Sequence, residues 1–446
     1  MTPNLDVLLS DVTVLTGDPA RPLLRNAAVG ISHDRIHYVD SSSDAAGSTA
    51  ARHLRLPGRV VTPGMINIHT HAILTMLRGM VEDLGFAPGY TPGIPHGHDV
   101  TPDEARALAR LGVLEAMRFG STLVNDAFVH ADATAGAMAE LGVRVHTCGR
   151  IHDADLALLA DGRWEHRTEI GNKTLSDALA LADAWHGKEN GRIGVQLAAH
   201  APDTCSDALL VEIRKASESR GLRVNIHLAQ TPMEVKQVRE TRQKTSAELL
   251  DDVGLLNDRM LAAHCLYLTE SDVARAARAH MHVAHCPKAN ATGGVMTPTP
   301  KLRAAGINVA LGTDNMHADM IEAMRWALAG ARIQQGGISQ DWQPSHVFHM
   351  ATAGAAKAMG LENEIGQVRQ GMKADLCVFD FRQPHLTPDI NPLGNLVHTG
   401  QGRDVEHVLV DGRFVIENGE PTLVDGAEIR REAQKAAEAL WTRARK

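Results

Sequence analysis

Between residues 60 and 314 the chain alternates two patterns. Some runs are apolar at nearly every position; longer stretches between them repeat apolar residues every three or four positions. A strand buried on both faces is apolar throughout, whereas a helix lying on a sheet buries one stripe. Eight runs fit the first pattern: 60–69, 121–128, 142–149, 192–200, 223–229, 260–265, 281–286 and 307–314. Amphipathic helices are predicted between them. One opens at Thr101-Pro102-Asp103-Glu104, a capping-type start, and others cover 206–220, 269–279 and 319–334. Eight near-continuous apolar strands separated by helices predict an α/β fold, a (β/α)8 TIM barrel.

The flanks follow a different rule. Residues 7–9, 12–15, 27–31 and 36–39 are short apolar or alternating runs set between Asp, Gly, Pro and Ser turns, and 41–44 reads as a surface loop. After a helix expected over 351–359, strand patterning returns at 373–380 and 405–413. Neither flank is long enough to stand alone, so a small β-sandwich built from both chain termini is expected beside the barrel. The expected units are 1–59 for its N-terminal part, 60–362 for the barrel, and 363–446 for its C-terminal part. The last unit ends in a charged helix over 427–446, whose Arg and Lys residues read as a solvated face.

Composition narrows the function. A length of 446 residues accommodates a barrel of about 250 residues and a smaller module. Aromatic residues make up only 3% and the net charge is −8, so base-stacking platforms and basic surfaces are scarce, and no nucleic-acid or membrane partner is expected. Five scattered cysteines without a CxxC pair fit reduced thiols in a cytoplasmic protein. The N-terminus lacks a signal-peptide pattern, and no apolar run approaches the roughly 20 residues that span a bilayer. A small-molecule substrate is the remaining expectation.

Candidate chemistry collects at strand ends. His69 and His71 close the first strand, and side chains two apart on a strand share a face, so both imidazoles project together. His200 ends the fourth strand, His227 lies near the end of the fifth, His264 ends the sixth and Asp314 ends the eighth. Any one of these could be a hydrogen-bonded strand terminus. Together they fall on the rim where barrels of this type carry reactive residues, which points to a metal site. Three neutral imidazoles and one carboxylate suit Zn(II) or Fe(II) and leave a position open for water.

PGMINIHTHAILTMLRG, LAAHAPDTCS, NIHLAQT, LAAHCLYLT, VAHCPKAN and NVALGTDN follow one another in this order, with GMKADLCVFD and a VDGR turn after them. The series resembles the amidohydrolase superfamily, in its branch of heterocycle deaminases and triazine chlorohydrolases, over essentially the whole chain. The resemblance implies one divalent metal, Zn or Fe, held by His69, His71, His227 and Asp314. It implies that Asp314 also takes the proton of the attacking water, that His264 stands beside that water, and that His200 contacts substrate. No lysine replaces His200 on strand four to bridge two metals. Relatives are often dimers, so a homo-oligomer is implied by analogy.

The chain departs from that pattern in two places. Deaminases of this branch usually carry Glu three residues after the fifth-strand His, as a proton shuttle; here the residue is Gln230, which is neutral and cannot shuttle. Either another group supplies the proton (Asp314, Glu82, Asp83, His96, His98 or His317), or the leaving group needs none, as with chloride. An alkylamine leaving group, ring opening, and a metal-binding homologue without catalysis are the remaining readings. The second departure is the Pro- and Gly-rich loop 87–98, which reads as a lid or as a stiff surface loop. Asn315 and His317 would line the pocket or cap the next helix. Asn125, Asp126, His285 and Cys286 read as structural rim residues.

Overall fold

The structure, a computed structural model, describes residues 4–43, 45, 47–84 and 94–444. Five strands come first: β1 (Asn4–Leu15), β2 (Leu23–Ser32), β3 (Arg35–Ser41), β4 (Thr49–Arg55) and β5 (Arg59–Pro63). Then follow β6 (Met65–Thr70), β7 (Ser121–Phe128), β8 (Arg144–Ile151), β9 (Ile193–Ala199), β10 (Val224–Leu228), β11 (Met260–His264), β12 (His282–His285) and β13 (Asn308–Leu311). The last are β14 (Leu376–Asp380), β15 (Val405–Val410), β16 (Arg413–Glu417) and β17 (Glu420–Pro421).

Strands β6 to β13 form one eight-stranded parallel sheet in chain order, with helices between them, as expected for the barrel. The sheet curls until its last strand meets its first. Thr313 N–H and Asp314 N–H donate to the His69 carbonyl at 3.1 and 2.9 Å, and His71 N–H donates to the Asp314 carbonyl at 2.8 Å. Asn67 ties the same seam through the Thr313 hydroxyl and amide, at 2.8 and 3.1 Å. The seam is tight at Gly312, where a Cβ would lie 2.8 Å from the His69 carbonyl oxygen.

The other sheet has nine strands drawn from both flanks, in the order β17-β16-β15-β14-β5-β1-β2-β3 with β4 beside β1. Here the single strand expected over 60–69 is corrected: it is two strands in two sheets, divided at Gly64. Gly64 N–H bonds to the Asp375 carbonyl of the nine-stranded sheet, and Met65 N–H bonds to the Gly120 carbonyl on the barrel side, both at 2.9 Å. A Cβ on Gly64 would sit 2.0 Å from Thr122 Oγ1, so only glycine passes this point. The apolar run is continuous because both strands are buried, which hides the crossing from pattern reading.

Other differences are smaller. The expected strands at 7–9 and 12–15 are one strand, β1, with register shifts where it pairs with β2. Strand β4 was not expected, because its sequence has no apolar run and half of its residues face solvent. The helix expected over 351–359 is two helices, Pro344–Ala351 and Ala353–Met359, divided at Thr352 with φ −129° and ψ −100°. The terminal helix, Gly426–Ala444, is solvated on one face only. Ile429, Ala433, Ala436 and Leu440 are buried, and Trp441 Nε1 donates to the Met76 carbonyl at 2.8 Å, so it packs on the barrel. Among the described residues no helix is long and apolar enough to cross a membrane. All five cysteines are buried and unpaired.

A buried ion cluster joins the two sheets. Arg144, on β8, forms a two-pronged contact with Asp375 (both N···O distances 3.0 Å) and reaches Asp411 at 2.7 Å. The two carboxylates hold the guanidinium charged against its burial. Asp375→Ala is expected to lower stability by about 3–5 kcal/mol, because it removes the two-pronged partner of a buried cation and leaves it on Asp411. A denaturant-midpoint measurement checks this; a loss under about 1 kcal/mol would show that water reaches Arg144.

Candidate metal centre

The barrel strands are mostly apolar, and at their C-terminal ends, where backbone pairing stops, a polar side chain can turn into the barrel mouth. His69 lies on β6 with His71 just beyond it, His200 follows β9, His227 is on β10, His264 ends β11, and Asp314 lies past β13. The structure brings all six to one rim. His264 (φ 71°), Ala229 (φ 47°), Cys265 (φ 53°), Asp314 (φ 67°) and Met316 (φ 62°) all have left-handed backbone there. That conformation is costly for non-glycine residues and persists where the surroundings over-determine it, typically at functional sites.

Hydrogen bonding fixes the tautomers. His71 Nδ1 lies 2.6 Å from the Ala127 carbonyl and His227 Nδ1 lies 2.8 Å from the His200 carbonyl. A carbonyl only accepts, so each Nδ1 carries the hydrogen and each Nε2 keeps its lone pair. Those two Nε2 atoms are 3.3 Å apart, and His71 Nε2 is 3.4 Å from Asp314 Oδ1. His69 is fully buried with neither ring nitrogen hydrogen-bonded, and its Nε2 lies 3.9 Å from Asp314 Oδ1. Lone pairs converging in this way repel one another unless a cation lies among them. Backbone carbonyls fixing the far nitrogen are the usual support of metal-binding imidazoles.

Two overlapping groups have the geometry to hold a metal ion: His69, His71 and His227, and His69, His264 and Asp314, with donor atoms within 4.8 Å of one another in each. Burial keeps these imidazoles neutral. It pushes His227 down to about 4 and His264 to about 3, and His69 and His71 well below the usual histidine range. Burial also pushes the Asp314 carboxyl up to about 7. The donor set is therefore uncharged imidazole plus one carboxylate that lacks a cationic partner among the described residues, which is the chemistry a divalent ion satisfies.

The cluster opens onto a cavity of about 580 Å³ lined by His71, Phe128, Arg150, His200, Gln230 and Asn315, among others. His200 also hydrogen-bonds Thr204 Oγ1 through Nδ1 at 2.9 Å. Gln230 Nε2 lies 3.1 Å from His264 Nε2. His317 is not among the lining residues; its ring nitrogens are buried without a hydrogen bond. Neither it nor Asn315 caps the following helix, which Asp319 caps by accepting from Ile321 and Glu322 N–H. Asp126 accepts from Ala72 N–H at 2.7 Å and Asn125 donates to the Ile68 carbonyl at 2.8 Å. Glu82 and His96 line the cavity, while residues 85–93, most of the expected lid, lie outside the described residues.

Sequence reading missed two residues. Arg150 lines the cavity with its guanidinium 4.6 Å from the Phe128 ring centre. It was passed over because β8 runs two residues beyond the expected strand end at 149. Glu234 is buried and accepts from Ala229 N–H at 2.8 Å, Gln230 N–H at 2.7 Å and Ser246 Oγ at 2.9 Å, which sets the backbone that carries Gln230. Its signal was Thr231-x-x-Glu234, an N-cap pattern. Thr231 does cap the helix, but the carboxylate turns toward the preceding loop.

Residues 60–415 match the family model described as the amidohydrolase family. The chain belongs to the amidohydrolase family. It is 35% identical over 435 residues to a 5-methylthioadenosine/S-adenosylhomocysteine deaminase of Moorella thermoacetica, covering 95% of this chain and 97% of that one. A 5'-deoxyadenosine deaminase of Methanosarcina mazei is 32% identical, with 98% and 99% covered. Among solved structures, an adenosine deaminase from Xanthomonas campestris with bound zinc superposes with a TM-score of 0.90 at 26% identity, covering 99% of this chain and 100% of that one. An atrazine chlorohydrolase from Arthrobacter aurescens complexed with zinc shares the fold, with a TM-score of 0.86 at 22% identity and 97% and 100% covered. This amidohydrolase is an enzyme that hydrolyses carbon–nitrogen bonds.

Proposed function

We propose that this chain removes an amino group hydrolytically from a nitrogen heterocycle, with one zinc ion held by His69, His71, His227 and Asp314. The observation that carries the reading is the pair of opposed Nε2 lone pairs of His71 and His227, 3.3 Å apart beside Asp314 at the floor of the cavity. The 26%-identical adenosine deaminase with bound zinc and the deaminase relatives support it.

When bound, the metal supplies Lewis acidity that lowers the pKa of a water toward neutrality. The protein's own residues do the rest. Asp314 takes the water proton at a carboxylate oxygen and returns it to the leaving amine. His264 Nε2 lies 4.0 Å from Asp314 Oδ2, so its ring stands beside the place the attacking water would take. Asn290 holds that ring by its Nδ1 at 3.0 Å. His200, Gln230 and Asn315 line the cavity, where they would contact substrate.

Gln230 favours a second reading, in which the leaving group is chloride and needs no proton. A screen for ammonia and chloride release over purines, pyrimidines, pterins, triazines and cyclic guanidines decides, using protein of measured zinc content. Ammonia release is expected. Chloride release without ammonia selects the second reading, and no turnover on any ring by zinc-loaded protein overturns both.

A further inference from the structure

The orientation of the Gln230 amide follows from a chain of hydrogen bonds running back into the barrel wall. Thr297 Oγ1 donates its only hydrogen to the His264 carbonyl at 2.7 Å. The Asn290 atom 3.2 Å from that hydroxyl must then be the amide nitrogen, which donates to it. Asn290 Oδ1 is left facing His264 Nδ1 at 3.0 Å, so Nδ1 carries the ring hydrogen. His264 Nε2 is therefore an acceptor, and the Gln230 atom 3.1 Å from it must be the amide nitrogen. Gln230 Oε1 is the atom left for the cavity, and among the described residues no donor pairs with it. The backbone beneath is locked by Glu234, which holds the Ala229 and Gln230 amides.

We infer that Gln230 selects rings whose nitrogen beside the reacting carbon already carries hydrogen. This rests on the deaminase reading above and names the substrate class: amino-oxo rings of the isocytosine or pterin kind, and cyclic guanidines. A carbonyl oxygen accepts from a ring N–H and repels the bare lone pair of an aminopurine ring nitrogen. The step starts from the imino tautomer of such a ring, in which the ring nitrogen on the other side also carries hydrogen and the reacting carbon is doubly bonded to the exocyclic nitrogen. Water then forms a C–O bond and the C=N electron pair moves to the exocyclic nitrogen. That nitrogen receives both water hydrogens, one by way of Asp314 and one as the C=O forms, and leaves as ammonia. The ring N–H is unchanged throughout, so a residue that cannot shuttle protons suffices.

The test uses the full-length, zinc-loaded protein and compares kcat/KM for ammonia release from isocytosine and pterin with that from adenosine and 5'-deoxyadenosine. The N–H rings are expected to be favoured by about 100-fold or more, since a mismatched buried polar contact discriminates strongly. Gln230→Glu, nearly isosteric, is expected to shift that ratio toward the adenosines by about 100-fold with an unchanged melting temperature. Adenosines turned over as well as or better than the N–H rings would overturn the inference and leave the deaminase reading standing. An unshifted ratio in Gln230→Glu would do the same. Release of ammonia from neither class would overturn the inference, and release from no ring of the wider screen would overturn the deaminase reading with it.

Discussion

Replacing His69 and His71 together by alanine is expected to remove the metal and, with it, turnover, while the nine-stranded sheet stays folded. Small zinc-binding units bind their metal with about 10–16 kcal/mol shared among four donors. Losing two donors forfeits about half of that, a weakening of about 10⁴–10⁶-fold in affinity. The fold has little stake in these rings. His69 makes no hydrogen bond through its ring, and His71 makes one, to the Ala127 carbonyl. Metal content by elemental analysis and circular dichroism after heating separate loss of ion from loss of fold. Stoichiometric metal retained by the folded double variant would remove both residues from the ligand set.

Asp314→Asn is expected to lower kcat by about 10²–10⁴-fold at saturating zinc, with a much smaller change in KM. Asparagine is isosteric and tolerates the left-handed backbone at this position, so the cavity keeps its shape. What is lost is the carboxylate proposed to take and return the proton. The amide oxygen can still approach a metal, so measured zinc content separates the two roles. A kcat within about threefold of the parent's would assign the proton to another group, with His264 the nearest candidate.

The two variants act on residues that sequence and structure made visible in different ways. All eight barrel strands were readable, because a parallel strand covered on both faces must be apolar at nearly every position, and β7 was bounded to the residue. The rim residues stood out because a polar side chain at the end of such a run breaks the pattern. Where covering was uneven the signal failed. Strand β4, half exposed, had no pattern to read, and the crossing at Gly64 was masked by burial on both sides of it.

The sequence by itself therefore determined the barrel and the side chains offered at its mouth, because burial periodicity and strand alternation are local properties. Tertiary structure alone decided how those side chains meet. Closure of β13 onto β6 brings Asp314 against His69 and His71 from the far end of the barrel, and carbonyls of other strands turn the His71 and His227 lone pairs inward. It also kept His317 out of the cavity lining, brought Arg150 into it, and oriented Gln230 through Thr297, Asn290 and His264. A hydrogen-bond direction is set by whichever partner has no choice of donor or acceptor. In this protein those partners lie many residues away along the chain.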